Sequence, residues 1–205
     1  GAMHALAIDG RDEYAPAQFE SRSPIDTRIV VGRFQAGNAS HAEAAVAAAK
    51  RASPGWAATP WRERVAVLRR AVGLIEDRVF QLGAALALEV GKNRMEALGE
   101  AQETADLVAY YCDQMEANDG YEKSMARDPL AGFESENRSV LKPHGVWLVI
   151  APFNFPFALA AGISGAIASR SFTARSIALE LPLVGKLGRL TGGRRCTDGG
   201  KSHSC

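Results

Sequence analysis

The sequence predicts an α/β fold: a helical block set against a Rossmann-like parallel sheet. Three observations predict it. Val65, Leu68, Val72, Ile75 and Val79 recur at spacings of three and four, which puts them on one helical face. Val146 to Ile150 reads Val-Trp-Leu-Val-Ile, a continuous apolar run suited to a strand buried on both faces. The order along the chain is strands, helices, strands, then a helix directly after that buried run.

Gly1-Ala2-Met3 reads as a protease scar before a natural Met start and is set aside. His4 to Asp9 alternates weakly and predicts a short strand. Arg28 to Phe34 predicts a second, after the turn Ser23-Pro24-Ile25-Asp26. Ser40-His41-Ala42-Glu43 has the pattern of a capping box, with Ser accepting from the amide three residues on and Glu reaching back. The Ala-rich helix it opens is expected to stop at Ser53-Pro54-Gly55. Thr59-Pro60 then starts the next, Thr as N-cap and Pro as first helical residue. That pattern continues to Val90, where Gly91 interrupts it. A third helix is expected from Asn93 to Ala117, with Leu98, Ala101, Ala105, Val108 and Cys112 on one side. Asn118-Asp119-Gly120 ends it. Arg138 to Lys142 and Val146 to Ile150 read as extended runs separated by Pro143-His144-Gly145, and a helix is expected from about Pro156.

Composition narrows the function. Hydrophobic residues make up 47% and charged residues 23%, as in ordinary water-soluble domains. The net charge of +1 gives no footprint for nucleic acid or an anionic membrane. The least polar stretch, Val146 to Ala168, is broken by Pro152, Asn154 and Pro156, which argues against a membrane span and for a cytoplasmic protein. Cys112, Cys196 and Cys205 form no C-x-x-C pair and suggest no disulfide framework. The four histidines lack zinc spacing, so no metal is expected. Residues 163–205 carry seven Lys or Arg against two acids, a net of +5, which leaves −4 for residues 1–162. Two regions are therefore expected: 1–162, and a divergent, poorly ordered basic tail at 163–205.

The segment Ile150 to Pro156 carries the chemistry. A buried strand stops, two prolines fix the backbone, and Asn154 stands alone as a polar side chain among aromatics. Ligands of open α/β sheets bind beyond the carboxyl ends of strands, and an amide there can donate to a developing oxyanion. An Asn in such a place can equally do no more than satisfy the backbone of a turn. Other candidates fail. Gly199-Gly200-Lys201-Ser202 resembles the end of a phosphate-binding loop, but Arg195 stands where its first glycine belongs. Glu89 and Lys92 read as helix-end and surface groups.

His144-Gly145-Val146-Trp147-Leu148-Val149-Ile150-Ala151-Pro152-Phe153-Asn154-Phe155-Pro156-Phe157 resembles the aldehyde dehydrogenase pattern P-x-G-V-x-x-x-I-x-P-[WF]-N-F-P. Leu88-Glu89-Val90-Gly91-Lys92 is similar to that family's L-E-x-G-K, and Pro60-Trp61-Arg62-Glu63-Arg64 to its W-x-x-R region. The likeness covers roughly residues 20–162. Phe153 and the Phe-Asn-Phe-Pro-Phe run resemble the branch that includes 1-pyrroline-5-carboxylate dehydrogenases.

The resemblance implies the N-terminal, cofactor-binding part of such a fold, incomplete in this chain. It implies Asn154 as the oxyanion-hole amide, and Ile150, Ala151, Pro152 and Phe153 beside an NAD or NADP cofactor. Phe155 and Phe157 would face or support a substrate tunnel. Residues 138–142 would lie in an oligomerisation arm. The implied reaction is oxidation of a small-molecule aldehyde to a carboxylic acid by a homo-oligomeric parent enzyme. The family's K-P-[AS] cofactor motif and its catalytic Gln-x-Cys block have no match after Gly162, and Cys196 lies in Arg-Arg-Cys-Thr-Asp. The 205-residue chain alone is thus expected to be inactive. The alternative is a catalytically inactive fragment or degenerate protein with a binding or structural role.

Overall fold

The structure is a computed structural model that describes residues 1–132, 134–141 and 145–170. It is a mixed α/β arrangement of helices and small sheets.

The first sheet joins β1 (Ala2–His4), β5 (Val30–Ala36) and β4 (Ala17–Arg22) in the order β1-β5-β4. β1 runs parallel to β5, with Met3 opposite Arg33, and β4 runs antiparallel to it, with Phe19 opposite Phe34. Residues 2 and 3, set aside in the sequence reading, therefore take part in the fold. The single strand expected over His4 to Asp9 is two strands instead. β2 (Leu6–Ile8) leaves the sheet and pairs with β3 (Arg11–Glu13) as a hairpin. Asp9 and Gly10 carry it, both at positive φ (52° and 77°), the backbone that a tight two-residue hairpin demands. Phe34 is buried, with His4 stacked on its ring at 4.8 Å.

Four helices follow the sheet: α1 (Ala39–Ala58), α2 (Trp61–Glu76), α3 (Val79–Val90) and α4 (Arg94–Ala117). The capping box lies two residues earlier than expected. Asn38 accepts from the His41 amide at 3.2 Å, and the His41 ring accepts from the Asn38 amide. Asn38 has the extended backbone an N-cap needs, so helix geometry begins before Ser40. α1 also passes through Pro54 to Ala58. Thr59 closes that last turn, its hydroxyl donating to the Gly55 carbonyl at 3.0 Å, and Pro60 occupies the cap position of α2. The pattern from Thr59 to Val90 divides at residues 77–78 into α2 and α3. Gly91 ends α3 in the left-handed region, φ 75°, as a C-cap glycine does.

α4 is the axis of the core. Ala97, Ala101, Ala105, Val108, Cys112 and Met115 are buried at helical spacing. Val65, Val72 and Ile75 of α2 and Leu86 of α3 pack against this face. Its small side chains let neighbouring helices approach closely. α5 (Ala158–Arg170) packs on α4 through Gly162 and Gly165: an added Cβ would lie 2.8 Å from Leu107 and 3.1 Å from Val108. Residues 163–169 were expected to pack poorly, yet Gly165, Ala168 and Ser169 are buried in this helix–helix contact. The reason is that Ile163 to Ser169 continues the small-residue pattern without a helix breaker. Residues 171–205, including Cys196 and the rest of the expected tail, lie outside the described residues.

β6 (Glu122–Ser124) pairs antiparallel with β7 (Arg138–Val140), with Lys123 opposite Ser139. β7 is the first three residues of the extended run expected over Arg138 to Lys142, and Lys142 lies outside the described residues.

Candidate functional site

The candidate site is a turn between an extended segment and the start of α5. Val146 to Ile150 was expected as a strand buried on both faces. No strand forms over these residues, and no strand among the described residues pairs with them. Val149 is buried, whereas Leu148 is 57% and Ile150 76% exposed. An apolar run becomes a doubly covered strand only when neighbours supply a hydrogen-bonding partner on its edge and a layer on each face. Of residues 146–150 only Val149 is buried.

The chain then turns at residues 152–155, closed by the Phe155 amide donating to the Pro152 carbonyl at 3.2 Å. Phe153 is 85% exposed, and Asn154 and Pro152 are exposed as well. Among the described residues the Asn154 carboxamide bonds no backbone group, so the turn is closed without it. Phe155 is partly exposed. Phe157 is 1% exposed and packs in the helical core with Val72, Leu86 and Ala101, so it supports the turn from beneath.

Two charged residues that the sequence reading left aside hold this turn. Glu100, buried on α4, accepts from the backbone amides of Phe157 (2.9 Å) and Ala158 (3.2 Å) through Oε1. Those amides open α5, where orphan N–H groups and the helix dipole favour a carboxylate. Its Oε2 faces the Lys92 ammonium at 2.6 Å. The Lys92 ammonium also lies 3.6 Å from the centroid of the Phe155 ring, a cation–π contact. Lys92 was expected as a surface group, but its side chain is only 10% exposed. A signal for Glu100 existed. It stands between Ala97 and Thr104 on the otherwise small and apolar face of α4, and an acid placed there requires a buried partner.

The other matched blocks lie elsewhere. Trp61 packs on the backbone of Gly120, and Arg62 stacks over the Trp61 ring at 4.2 Å while pairing with Asp119. Buried Arg64 donates to the Thr59 carbonyl. This W-x-x-R block joins the start of α2 to the end of α4. A polar cavity of about 250 Å³ beside it, lined by Trp61, Arg62, Asp119 and the β6–β7 hairpin, is separate from Asn154. Glu89, near the end of α3, has its carboxyl pushed up to about 7 by burial. Cys112 is sealed in the core, and burial pushes its thiol up to about 11, which suits packing and not nucleophilic attack.

An apolar segment, an exposed amide on a proline-bounded turn and a helix opening behind it stand together in a mixed α/β fold. The aldehyde dehydrogenase family model matches residues 12–170, and this chain belongs to that family. It is 37% identical over 163 residues to 1-pyrroline-5-carboxylate dehydrogenase 2 of Bacillus subtilis (strain 168), a match covering 79% of this chain and 30% of that protein. A 1-pyrroline-5-carboxylate dehydrogenase from Thermus with bound NAD has a similar fold, with TM-score 0.77 and 27% identity, covering 94% of this chain and 38% of that one. So does 3,6-anhydro-L-galactose dehydrogenase in complex with NAP, with TM-score 0.74 and 28% identity, covering 93% and 40%. The chain thus spans about 30% of the length of the curated relatives it matches.

Proposed function

We propose that this chain supplies the oxyanion-stabilising amide, Asn154, and one wall of the cofactor cleft to an NAD- or NADP-dependent oxidation of an aldehyde to a carboxylic acid. The observation that carries this reading is the Asn154 turn itself. Its backbone is closed by the Phe155–Pro152 hydrogen bond and by Glu100, which leaves the exposed carboxamide available to a ligand. That favours a chemical role over the bland role of satisfying a turn. Family membership supports it, since Asn154 falls within the matched residues.

In such a reaction a cysteine thiolate adds to the aldehyde carbon and the carbonyl oxygen gains negative charge. Asn154 would donate to that oxygen, an interaction stronger in the transition state than in the bound aldehyde. The nicotinamide cofactor, when bound, accepts the hydride that leaves the same carbon. Water then releases the acid from the thioester. The described residues fit one part of that cofactor. Ile150, Pro152 and Phe153 offer an exposed apolar strip to a flat ring. The opening amides of α5 already bind Glu100, so they do not serve as the pyrophosphate site. Phe155 would border the aldehyde's approach, and the β6–β7 hairpin would be the arm through which copies of the parent enzyme associate.

The nucleophile would come from the region of the parent enzyme beyond the described residues. The 205-residue chain alone is expected to form no NADH from an aldehyde. In an enzyme that carries this segment with a complete catalytic region, Asn154→Ala should lower kcat by about 10²–10³-fold, the usual loss for one oxyanion donor. An unchanged kcat would reduce Asn154 to a turn residue and remove the proposal's central element.

A further inference from the structure

We propose that Lys92 and Glu100 act as a pair of positioning residues that fix the Asn154 turn, a role that rests on the reading of Asn154 given above. The pair grips the chain on the C-terminal side of the turn at three successive points. The Lys92 ammonium sits over the Phe155 ring at 3.6 Å, and Glu100 Oε1 takes the amides of Phe157 and Ala158. The two side chains are themselves joined at 2.6 Å. Asn154 immediately precedes the first of these points.

Both anchors stand on well-fixed backbone. Glu100 is on the buried face of α4, seven residues into the helix. Lys92 lies in the short connection between the left-handed cap of α3 at Gly91 and the N-cap of α4 at Asn93. A carboxylate this buried is strongly unfavourable unless compensated, and its compensation comes from Lys92 on one side and the opening of α5 on the other. The ammonium cannot leave without unbalancing the carboxylate, and the carboxylate cannot move without releasing the start of α5. Charge balance therefore fixes the position of the turn, and with it the direction of the Asn154 carboxamide.

A pair that only fastened α5 to α4 would affect stability. A positioning pair also affects the Asn154 side chain. The two roles separate in solution NMR of the ¹⁵N-labelled 205-residue chain, read at the Asn154 side-chain NH₂ resonances and at hydrogen exchange of the Phe157 and Ala158 amides. Asn154→Asp identifies the side-chain signals. In Lys92→Met, which keeps the bulk and removes the charge, the Asn154 signals should shift or broaden and the two amides should exchange about tenfold faster, the effect of losing one charge-assisted bond. Lys92→Arg should restore both towards wild type. Glu100→Gln should behave as Lys92→Met does; should it fail to fold, the Lys92 variants carry the test alone. Faster exchange with unmoved Asn154 signals would make the pair an anchor only and overturn the proposal, as would wild-type behaviour of Lys92→Met in both readouts. None of these readouts is turnover, so a failure here leaves the oxyanion role of Asn154 standing. A dispensable Asn154 would likewise leave the measured geometry standing while removing its catalytic meaning.

Discussion

α4 and the segment from Val146 to Phe155 are both rich in apolar side chains, yet one is covered and the other is open. On α4, Ala101, Ala105 and Cys112 are fully buried, because α2, α3 and α5 each bring an apolar face to it. On the segment, Leu148, Ile150 and Phe153 face solvent, and Val149 is buried. Hydrophobicity alone does not bury a residue. A second layer is needed, and helices that follow one another in sequence supply it locally, whereas a strand depends on partners from distant parts of a chain.

The largest expected effect lies in the core. Leu86 is 1% exposed and meets the α4 face, so Leu86→Ala should cost about 2–5 kcal/mol in urea unfolding, the range for a buried leucine. A loss below about 0.5 kcal/mol, normal for an exposed site, would mean the helical block is not the stable part.

Glu89, near the end of α3, offers a smaller effect. Burial raises its carboxyl from 4.5 to about 7, so the folded state holds a proton that the unfolded chain has already released. Stability therefore falls as pH rises from about 4.5 to about 7 and stays low above that. Glu89→Gln should flatten this slope and stabilise the chain at pH 8 by roughly 1–2 kcal/mol, after allowance for partial solvent screening. Identical pH profiles for the two proteins would show that the carboxyl titrates as it does in water.

The smallest thermodynamic effect belongs to the open segment. Ile150→Ser should change unfolding free energy by no more than about 0.5 kcal/mol, as expected at an exposed position. It should also reduce self-association in sedimentation velocity, because an exposed apolar strip is adhesive. A cost of several kcal/mol would show that Ile150 is covered in solution.

What could be read from the sequence follows the same division. The buried face of α4 was legible, since Ala101, Ala105, Val108 and Cys112 repeat at the helical period. Gly91 announced a helix end and became one. The motif around Asn154 suggested a family, and it is the family the chain matches. The caps were harder. Asn38 and Ser40 are both good N-caps, and the choice between them lies in backbone angles that composition does not encode. β4 went unread because Ala17 to Arg22 is exposed and polar, held by its ladder to β5 more than by a buried face. Glu100 and Lys92 were missed because their meaning depends on Phe155, Phe157 and Ala158, more than fifty residues along the chain.

The turn at residues 152–155 divides labour between frame and reagent. The frame uses a backbone carbonyl, three backbone amides and two charged side chains that belong to other elements, and among the described residues the side chain at position 154 takes no part in holding the loop. A position freed in this way is exchangeable: its chemistry can change while the scaffold around it keeps its shape. The same backbone could therefore present a different functional group at that point without being rebuilt.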